Sequence, residues 1–403
     1  MGMDSQRLKI VNGRLITAAG IINDGTLLVE EGKILAAGRA NTEFPDAILI
    51  DAAGDYVSPG FIDIHVHGGG GHDFMDSTEE AFLKIAETHA RFGTTSMLPT
   101  TLTGDKQQIL SVLDVYEKAN ANNKQGACFL GIHLEGPYLA MSQKGAQDPK
   151  YIRDPDPREY EEILAHSPSI KRWSAAPELN GALEFGRYLQ QKAVLPAIAH
   201  TDAIYEEAAE AFRNGFTLAT HFYSAMSGVT RKNAYRYAGV IEAGYLIDEM
   251  DVEIIADGIH LPAPLLQLVY KIKGADRTAL ITDAIRAAAM PPGEYILGNS
   301  QTGMPVISEE GVAKLPDRSS FAGSIATADR LIRTMMDMTK APLTDIIKMA
   351  SSTPARIIGV SGEKGELAAG KDADIILFDH RINIRMTIRS GTVIYQNSEK
   401  QIP

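Results

Sequence analysis

The 403-residue chain has one cysteine and one tryptophan, and its 39 basic residues are outnumbered by 51 acidic ones. A single thiol, Cys128, cannot form a disulfide within the chain, which excludes a disulfide-rich secreted scaffold and favours a reducing compartment. The net charge of −12 argues against a nucleic-acid partner, because a protein that neutralises phosphates needs a basic face. An anionic substrate would therefore depend on a few local cations.

Long hydrophobic runs are also absent. No apolar stretch reaches the roughly 18 residues that a membrane-spanning helix requires, and the mean hydropathy is −0.10. The N-terminal segment MGMDSQRLKIVNGRLI carries charges early and lacks an apolar run followed by a small-residue cleavage site. We therefore expect a cytoplasmic protein with no membrane partner.

Both ends of the chain show short alternating strand patterns. The runs LKIVNGRLI and TLLVEEGKILAAG are separated by a predicted turn at Asn23-Asp24-Gly25, and Glu31-Gly32-Lys33 is predicted to close a hairpin. ADIILFD, INIRMTIRSG and TVIYQ show the same pattern near the C terminus. Residues 1–58 and 361–403 are therefore predicted to form one small β-sandwich domain.

Between residues 59 and 360, short apolar strands alternate with helical stretches. Candidate strands are Thr94–Pro99, Cys128–His133, Val194–Ala199, Thr217–Thr220, Val252–Ala256 and Ala279–Thr282; candidate helices are Glu79–Phe92, Gln107–Ala119, Ile204–Asn214 and Pro264–Ile272. About eight strand–helix units predict an α/β fold with a (β/α)8 TIM-like barrel, with an open doubly wound sheet as the alternative. Gly293–Leu315 interrupts the alternation and is predicted to be an inserted hairpin.

Histidine and carboxylate residues follow directly after many of these strands. They are His65, His67, Glu135, His200, His221, His260 and Asp283. Because all strands of a parallel barrel open onto one face at their C-terminal ends, we expect these side chains to converge on one pocket. Each has an ordinary structural explanation on its own, since a lone histidine is commonly just hydrogen-bonded and a carboxylate can cap the next helix. Their joint occurrence favours a metal site.

The ligand types narrow the choice of metal. Imidazole and carboxylate suit Zn, Fe, Mn or Ni better than Ca or Mg. His65 and His67 are separated by one residue and point to the same side of an extended strand, so both can reach one ion. We expect one or two divalent ions per subunit, with zinc as the first choice and Fe, Mn or Ni as alternatives.

Motifs along nearly the whole chain resemble those of one family. VSPGFIDIHVHG (57–68) resembles the opening metal motif of the amidohydrolase superfamily. HLEGP, AIAHTDA, ATHFYSAM, ADGIH and LITDAI are similar to the successive signatures of the N-acetylglucosamine-6-phosphate deacetylase family, and FAGS, TPAR and KGELAAGKDADIILFD continue the series. The resemblance implies hydrolysis of N-acetylglucosamine 6-phosphate to glucosamine 6-phosphate and acetate.

The resemblance also implies roles for the metal-site residues. Glu135, His200 and His221 would hold one ion, and His65 and His67 a second, with Glu135 bridging in place of a carboxylated lysine. Asp283 would lie close by, as a ligand and as the catalytic residue. Metal-bound hydroxide would attack the amide; Asp283 would take the proton as general base and deliver it to the departing amine as general acid.

Substrate contacts follow from the same motifs. His260 is expected to contact the sugar, and Ser224, Ala225 and Gln147 are expected to line its site. Ser224 stands where the family commonly has asparagine, and Gln147 where it commonly has histidine, so the identity of the sugar stays open. Alternatives are N-acetylgalactosamine 6-phosphate, another small N-acyl amine, or an inactive scaffold; the complete set of metal-site residues argues against the last.

The stretch SGVTRKNAYRY (227–237) is basic and follows the His221 motif. The family often uses an arginine in this place to bind the phosphate of the partner subunit's substrate. Arg231 is the first choice, with Lys232 and Arg236 as alternatives, and a homodimer is expected. The competing interpretation for each residue is a solvated basic loop.

Overall fold

The computed structural model describes residues 7–39 and 42–397. Parts of two predictions lie outside these described residues. They are the start of the N-terminal segment, residues 1–6, and the positions 40–41 and 398–403 of the predicted small domain. Within the described residues, no helix has the length and apolarity needed to cross a membrane.

Strands from both ends of the chain form one eight-stranded sheet, called here the small sheet. Its strands are Arg7–Thr17, Gly20–Glu30, Lys33–Gly38, Ile48–Asp51, Tyr56–Pro59, Ile375–Phe378, Ile384–Arg389 and Thr392–Gln396. The two ends of the chain meet where Tyr56–Pro59 pairs antiparallel with Ile375–Phe378. Apolar side chains of these strands form a separate core. The predicted small domain made from both ends is confirmed; the predicted limits of the two domains stay a prediction.

One hairpin at the N terminus differs from its prediction. Asn23-Asp24-Gly25 does not form the turn but lies inside the strand Gly20–Glu30, where the pairing with Arg7–Thr17 shifts register. The turn is at residues 18–19 instead. Asp24 has a φ of 51°, so the triplet does adopt the left-handed conformation it favours, but within an irregular strand.

Eight parallel strands close into a barrel. In order, barrel strands 1 to 8 are Phe61–Val66, Thr94–Pro99, Cys128–Phe129 with Ile132–Glu135, Ile170–Ala175, Leu195–Ile198, Leu218–Ala219, Asp251–Ile254 and Thr278–Leu280. Successive strands pair along two parallel sheets. A bridge from Thr100 to His133 joins strand 2 to strand 3, and a bridge from Val66 to Ala284 joins strand 1 to the end of strand 8. The predicted barrel is confirmed.

The candidate strands are placed correctly, with two differences. Strand 3 is interrupted at Leu130-Gly131, where Gly131 has a φ of 124°. Strand 4, Ile170–Ala175, was not among the candidates, because its charged residues Lys171 and Arg172 hide the apolar pattern.

Helices follow the barrel strands. They are Glu79–Ala90, Lys106–Asn122, Pro157–His166, Ala182–Gln191, Tyr205–Arg213, Val240–Leu246, Ala263–Lys273 and Ala328–Met338, with Leu343–Ala350 and Ser352–Ile357 leading back to the small sheet. All four candidate helices are present. Their starts follow from side-chain caps: Thr78 accepts from the N–H of Ala81, and Asp105 forms a capping box with Gln108.

The inserted segment forms three antiparallel strands rather than the predicted hairpin. They are Gly293–Leu297, Met304–Glu309 and Val312–Lys314. Leu297, Val306 and Ala313 pack with Ile285 and Ala322 in a small core of their own. The insertion therefore lies against the C-terminal end of strand 8. Short hairpins occur at Gly68–Gly69 with His72–Asp73 and at Thr230–Lys232 with Tyr235–Tyr237, and 3-10 turns at Phe74–Asp76, Met141–Gln143 and Pro149–Tyr151.

Candidate active site

Seven polar side chains lie at the C-terminal ends of six barrel strands. They are His65 and His67 at the end of strand 1, Glu135 ending strand 3, His200 after strand 5, His221 after strand 6, His260 after strand 7 and Asp283 after strand 8. All seven side chains are buried. The structure thus brings together at one end of the barrel the residues that sequence reasoning selected.

Three of these residues adopt an unusual backbone conformation. His200, His221 and Asp283 have φ angles of 46°, 32° and 48°, a region that costs a non-glycine residue about 1 kcal/mol or more. Hydrogen bonds hold Asp283 in place, since its N–H donates to the carbonyl of His65 at 2.9 Å and its carbonyl accepts from Ser324 at 2.8 Å. The turn directly after each strand leaves the side chain lining the mouth of the barrel.

Glu135 is shared by two groups of candidate metal ligands. The first group is His65, His67 and Glu135, the second group is Glu135, His200 and His221, and each has ligand atoms within 4.8 Å of one another. Oε1 of Glu135 lies 3.0 Å from Nε2 of His221 and 3.4 Å from Nε2 of His200. Oε2 lies 3.4 Å from Nε2 of His67. The carboxylate is therefore within reach of both groups.

Asp283 lies beside the first group. Its Oδ1 is 3.1 Å from Nε2 of His67 and 3.4 Å from Nε2 of His65. The same carboxylate lines the open cleft above the two groups. It can therefore contact an ion at the first group and a molecule in the cleft.

The positions and contacts of the histidine nitrogens show whether a metal ion fits the site. Nε2 of His200 and Nε2 of His221 are 3.2 Å apart, as are those of His65 and His67. The Nδ1 atoms of three of these rings contact backbone carbonyls: His67 with Thr100 at 3.3 Å, His200 with Gln143 at 2.8 Å and His221 with Ser224 at 3.1 Å. Because a carbonyl only accepts, the neutral form of each ring carries its proton on Nδ1 and has a lone pair on Nε2. Such lone pairs facing one another fit a divalent cation.

The buried carboxylates and histidines of the site shift one another's pKa values. Burial alone would raise the pKa of Glu135, but the neighbouring histidines hold it well below its usual range. Asp283 behaves in the same way, because His65 and His67 outweigh burial and lower its pKa. Burial disfavours the charged form of His67, yet hydrogen bonds to Asp283 and Glu135 raise its pKa to about 10. Without a metal, the proton on His67 balances part of the carboxylate charge, and a bound ion would displace it.

A cleft of about 300 Å³ opens above the two groups. Besides the ligand groups its walls include Leu102, Gln147, Tyr223, Ser224, Ala225, His260, Leu297, Ser320 and Phe321. Four of the predicted substrate-binding residues, Gln147, Ser224, Ala225 and His260, are therefore in the wall. The imidazole of His260 is fixed by Asp257, whose Oδ2 is 2.8 Å from Nδ1, and packs on Phe321 with ring centroids 4.8 Å apart.

Arg231 is placed differently from the other predicted substrate-binding residues. It lies with Lys232 and Arg236 on the exposed hairpin 230–237 and does not line the cleft of its own chain. Among the described residues that line the cleft, none is lysine or arginine. Any cation for an anionic substrate therefore has to reach the cleft from outside its walls.

Sequence reasoning missed several residues of the site. Thr103 fixes Gln147 through two hydrogen bonds, Asp257 orients His260, and Tyr223 lines the cleft with its hydroxyl 2.9 Å from that of Tyr245. Asp257 lies inside the ADGIH motif and could have been selected from its spacing to the histidine. The contacts of Thr103 and Tyr223 depend on tertiary packing and leave no local sequence signal.

Comparison with known proteins assigns the class to which this fold and site belong. Residues 56–394 match the Amidohydrolase family, and the chain belongs to it. A structure of N-acetylglucosamine-6-phosphate deacetylase from Pasteurella multocida superposes with a TM-score of 0.90 at 27% identity, covering 97% of this chain and all of that one. A mutant of the Mycobacterium smegmatis deacetylase in complex with N-acetyl-D-glucosamine-6-phosphate gives a TM-score of 0.89 at 28% identity, also covering 97% of this chain and all of that one.

Sequence relatives narrow the class. N-acetylglucosamine-6-phosphate deacetylase from Lysinibacillus sphaericus is 33% identical over 97% of this chain and 98% of that protein. N-acetylgalactosamine-6-phosphate deacetylase from Escherichia coli O157:H7 is 33% identical over 92% of this chain and 95% of that protein. The chain belongs to the N-acetylglucosamine-6-phosphate deacetylase family within the amidohydrolases, as its motifs predicted. Family and ligand geometry together define a site for a divalent metal.

Proposed function

We propose that this protein removes the acetyl group of an N-acetyl amino-sugar 6-phosphate, with N-acetylglucosamine 6-phosphate as the first candidate substrate. The products are glucosamine 6-phosphate and acetate. The observation that carries the proposal is the meeting of two ligand groups at Glu135 on the floor of a cleft of about 300 Å³. That volume is at the lower end of small-molecule sites, which suits a monosaccharide phosphate.

Six residues would hold the metal. They are His65, His67, Glu135, His200, His221 and Asp283. We infer zinc at one or two positions, since imidazole and carboxylate donors with close Nε2 pairs suit it, with Fe, Mn or Ni as alternatives. A bound divalent ion lowers the pKa of water towards about 7 and polarises an amide carbonyl.

Asp283 would move the proton. Its carboxylate is ionised, because the neighbouring histidines lower its pKa, and it lines the cleft beside His67. It can therefore accept a proton from the attacking water as general base. The same carboxyl, now protonated, would donate to the nitrogen of the departing amine, which an amide requires because an amide anion is a poor leaving group.

The wall of the cleft would orient the sugar. His260 is held by Asp257 through Nδ1 and lines the cleft, so its ring can contact a hydroxyl or the acetamide. Ser224 and Ala225 line the cleft, and the carbonyl of Ser224 lies 3.1 Å from Nδ1 of His221. Gln147 already donates to Glu135 at 2.8 Å, which supports a role in holding that carboxylate as well as in lining the cleft.

The phosphate would be bound by a second copy of the chain. The cleft walls lack lysine and arginine among the described residues, and Arg231 is exposed on the hairpin 230–237. We infer that Arg231 from one subunit reaches the phosphate in its partner's cleft, in a two-fold homodimer.

The single cysteine, Cys128, supports a cytoplasmic location.

N-acetylgalactosamine 6-phosphate is the second candidate substrate. The 33% identity to the Escherichia coli O157:H7 enzyme of that name supports it as well as the equal identity to the Lysinibacillus sphaericus enzyme supports the first. Ser224 and Gln147, where the family commonly has asparagine and histidine, lie in the wall that would contact the sugar.

Acetate release from a panel of sugars tests the proposal. The purified chain with zinc would be assayed with the 6-phosphates of N-acetylglucosamine and N-acetylgalactosamine and with unphosphorylated N-acetylglucosamine. We expect rapid release from at least one phosphate, little from the unphosphorylated sugar, and loss of activity with a chelator that zinc restores. Activity that survives complete metal removal, or no release from either phosphate by protein loaded in turn with zinc, iron, manganese and nickel, would reject the function.

A further inference from the structure

A fully buried ion pair lies below the two ligand groups. Arg172 on strand 4 and Glu253 on strand 7 are both 0% exposed and form a bidentate pair, Nη1 with Oε1 and Nη2 with Oε2, the latter at 2.7 Å. The two strands are not neighbours in the barrel, so the pair crosses its interior. Burying two charges costs several kcal/mol that their attraction only partly recovers, so such a pair is poor evidence for stability alone.

The pair contacts the residues that precede two candidate ligands. Nη1 of Arg172 donates to the carbonyl of Ile64 at 3.1 Å, directly before His65. Nη2 donates to Oγ1 of Thr220 at 2.7 Å, directly before His221. The guanidinium of Arg172, on strand 4, therefore hydrogen-bonds to the ends of strands 1 and 6 and to Glu253 on strand 7, next to the candidate metal ligands.

His65 differs from the other three candidate ligand histidines. Their Nδ1 atoms face backbone carbonyls, whereas Nδ1 of His65 is buried with no hydrogen-bond partner among the described residues. Oε2 of Glu253 lies 3.9 Å from it, within ion-pair distance. Metal-binding histidines are commonly held by a carboxylate or carbonyl at the other ring nitrogen, and Glu253 is the carboxylate that lies on this side of His65.

We propose that Glu253 and Arg172 are positioning residues for the first ligand group. Glu253 favours the proton on Nδ1 of His65 and so leaves the Nε2 lone pair for an ion, while Arg172 fixes the carboxylate. The inference rests on the proposed metal-dependent function and adds that the ion held by His65 and His67 depends on a charge pair that touches neither ion nor substrate.

Zinc binding to variants of the full chain tests the proposal. Glu253→Gln keeps the shape of the side chain but removes its charge. Because this leaves Arg172 buried and unpaired, the double variant Arg172→Met with Glu253→Leu removes both charges together and should fold. His65→Asn removes a ligand of the first group, so the ion whose affinity falls in this variant is the one that the first group binds. Lys364→Met, which breaks a buried ion pair beside the small sheet, is the control for general destabilisation.

The readout is zinc affinity, measured against a chromogenic chelator, with the absorption spectrum of the cobalt-loaded protein as a second signature. We expect wild-type protein to bind two ions. Glu253→Gln and the double variant should bind the His65-dependent ion about 10- to 100-fold more weakly and keep the other. Lys364→Met should bind both as wild type does.

Two results would overturn the inference while leaving the proposed function in place. One is unchanged affinity for both ions in folded Glu253→Gln and in the double variant. The other is weakening in Glu253→Gln alone, since an unpaired Arg172 would then be the cause. Wild-type protein that binds no zinc and releases no acetate would instead reject the proposed function itself.

Discussion

Nε2 of Gln147 donates a hydrogen bond of 2.8 Å to Oε2 of Glu135, the carboxylate shared by both ligand groups. The other end of the amide is fixed, because the backbone N–H and the hydroxyl of Thr103 donate to its Oε1 at 2.8 and 2.7 Å. The amide cannot be reversed without placing its NH2 group against two donors. Gln147 therefore holds the shared carboxylate in one orientation.

Gln147→Leu removes this hydrogen bond at nearly constant volume. We expect zinc affinity to fall about tenfold, because the partner of a ligating carboxylate tunes its metal. Gln147→Glu should weaken binding further, since it places a second carboxylate beside Glu135. Chelator competition measures both. If zinc affinity is unchanged and only the KM for the sugar rises, Gln147 contacts the substrate alone.

Asp283→Asn tests the proton transfer. The amide cannot accept a proton, so kcat should fall by about 10²–10⁴-fold, the range of general acid–base catalysis. The ions are expected to remain, because five other candidate ligands are intact. Acetate release and elemental analysis of the same sample separate the two effects. Asp114→Asn, on the outer surface beside His166, is the matched control, and near-normal kcat in Asp283→Asn would contradict the proposed role.

Arg231→Ala tests the phosphate contact. Since the arginine would act as a charge for the phosphate alone, KM for the phosphorylated sugar should rise about tenfold or more, with no change for an unphosphorylated analogue. Lys106→Ala, an exposed cation on an outer helix, is the control. Equal effects of Arg231→Ala on both substrates would remove the phosphate assignment.

Mixed dimers show whether the arginine acts across subunits. Arg231→Ala leaves Asp283 intact, and Asp283→Asn leaves Arg231 intact. In a hybrid dimer one cleft combines Asp283 of the first variant with Arg231 of the second. Mixing the two variants should therefore raise activity above the sum of their separate activities. Each hybrid dimer regains at most one complete active site. No gain after proven subunit exchange would mean that each cleft uses its own chain.

Much of the barrel could be predicted because its signals are local. Each candidate strand is a short apolar run, and Glu135, His200, His221 and Asp283 each follow such a run directly. The closure of parallel strands then places these ends together whatever the loops between them. The Asn23-Asp24-Gly25 turn failed because the same residues favour a positive φ in a bulge and in a turn, and local sequence does not decide between them.

Other features depend on contacts between distant residues. Arg172 and Glu253 are 81 positions apart, on strands that also carry Lys171 and Asp251. Only the closed barrel makes them partners. Likewise, the contact between Thr103 and Gln147 forms between two loops. The exposure of the hairpin that carries Arg231, by contrast, agrees with its basic composition.

Lys364 links the small sheet to the barrel and provides a prediction of stability. Its Nζ lies 2.8 Å from Oδ2 of Asp372 and 2.7 Å from Oδ2 of Asp374, with its side chain 8% exposed. The backbone of Asp374 also accepts from the N–H of Gly60 at the start of the barrel. Lys364→Met removes the cation shared by the two neighbouring carboxylates and leaves only Lys33 paired with Asp372, so we expect about 3 kcal/mol less stability at pH 7.

The deficit of Lys364→Met should depend on pH. Burial alone would raise the pKa of Asp372, but Lys33 and Lys364 lower it below 3.8. A carboxyl whose pKa is lowered by folding stabilises the protein above its unfolded pKa, and this contribution is lost as the pH falls through the folded value. The gap in thermal midpoint between wild type and Lys364→Met should therefore be full at pH 7 and narrow as the pH falls below about 3.8 towards the lowered pKa of Asp372. Lys84→Met, which removes an exposed pair with Glu87, should change the midpoint little at either pH. A gap that stays constant from pH 7 down to about pH 2.5, below the usual range of a carboxyl pKa, would show that Lys364 stabilises through packing of its alkyl chain and not through its charge.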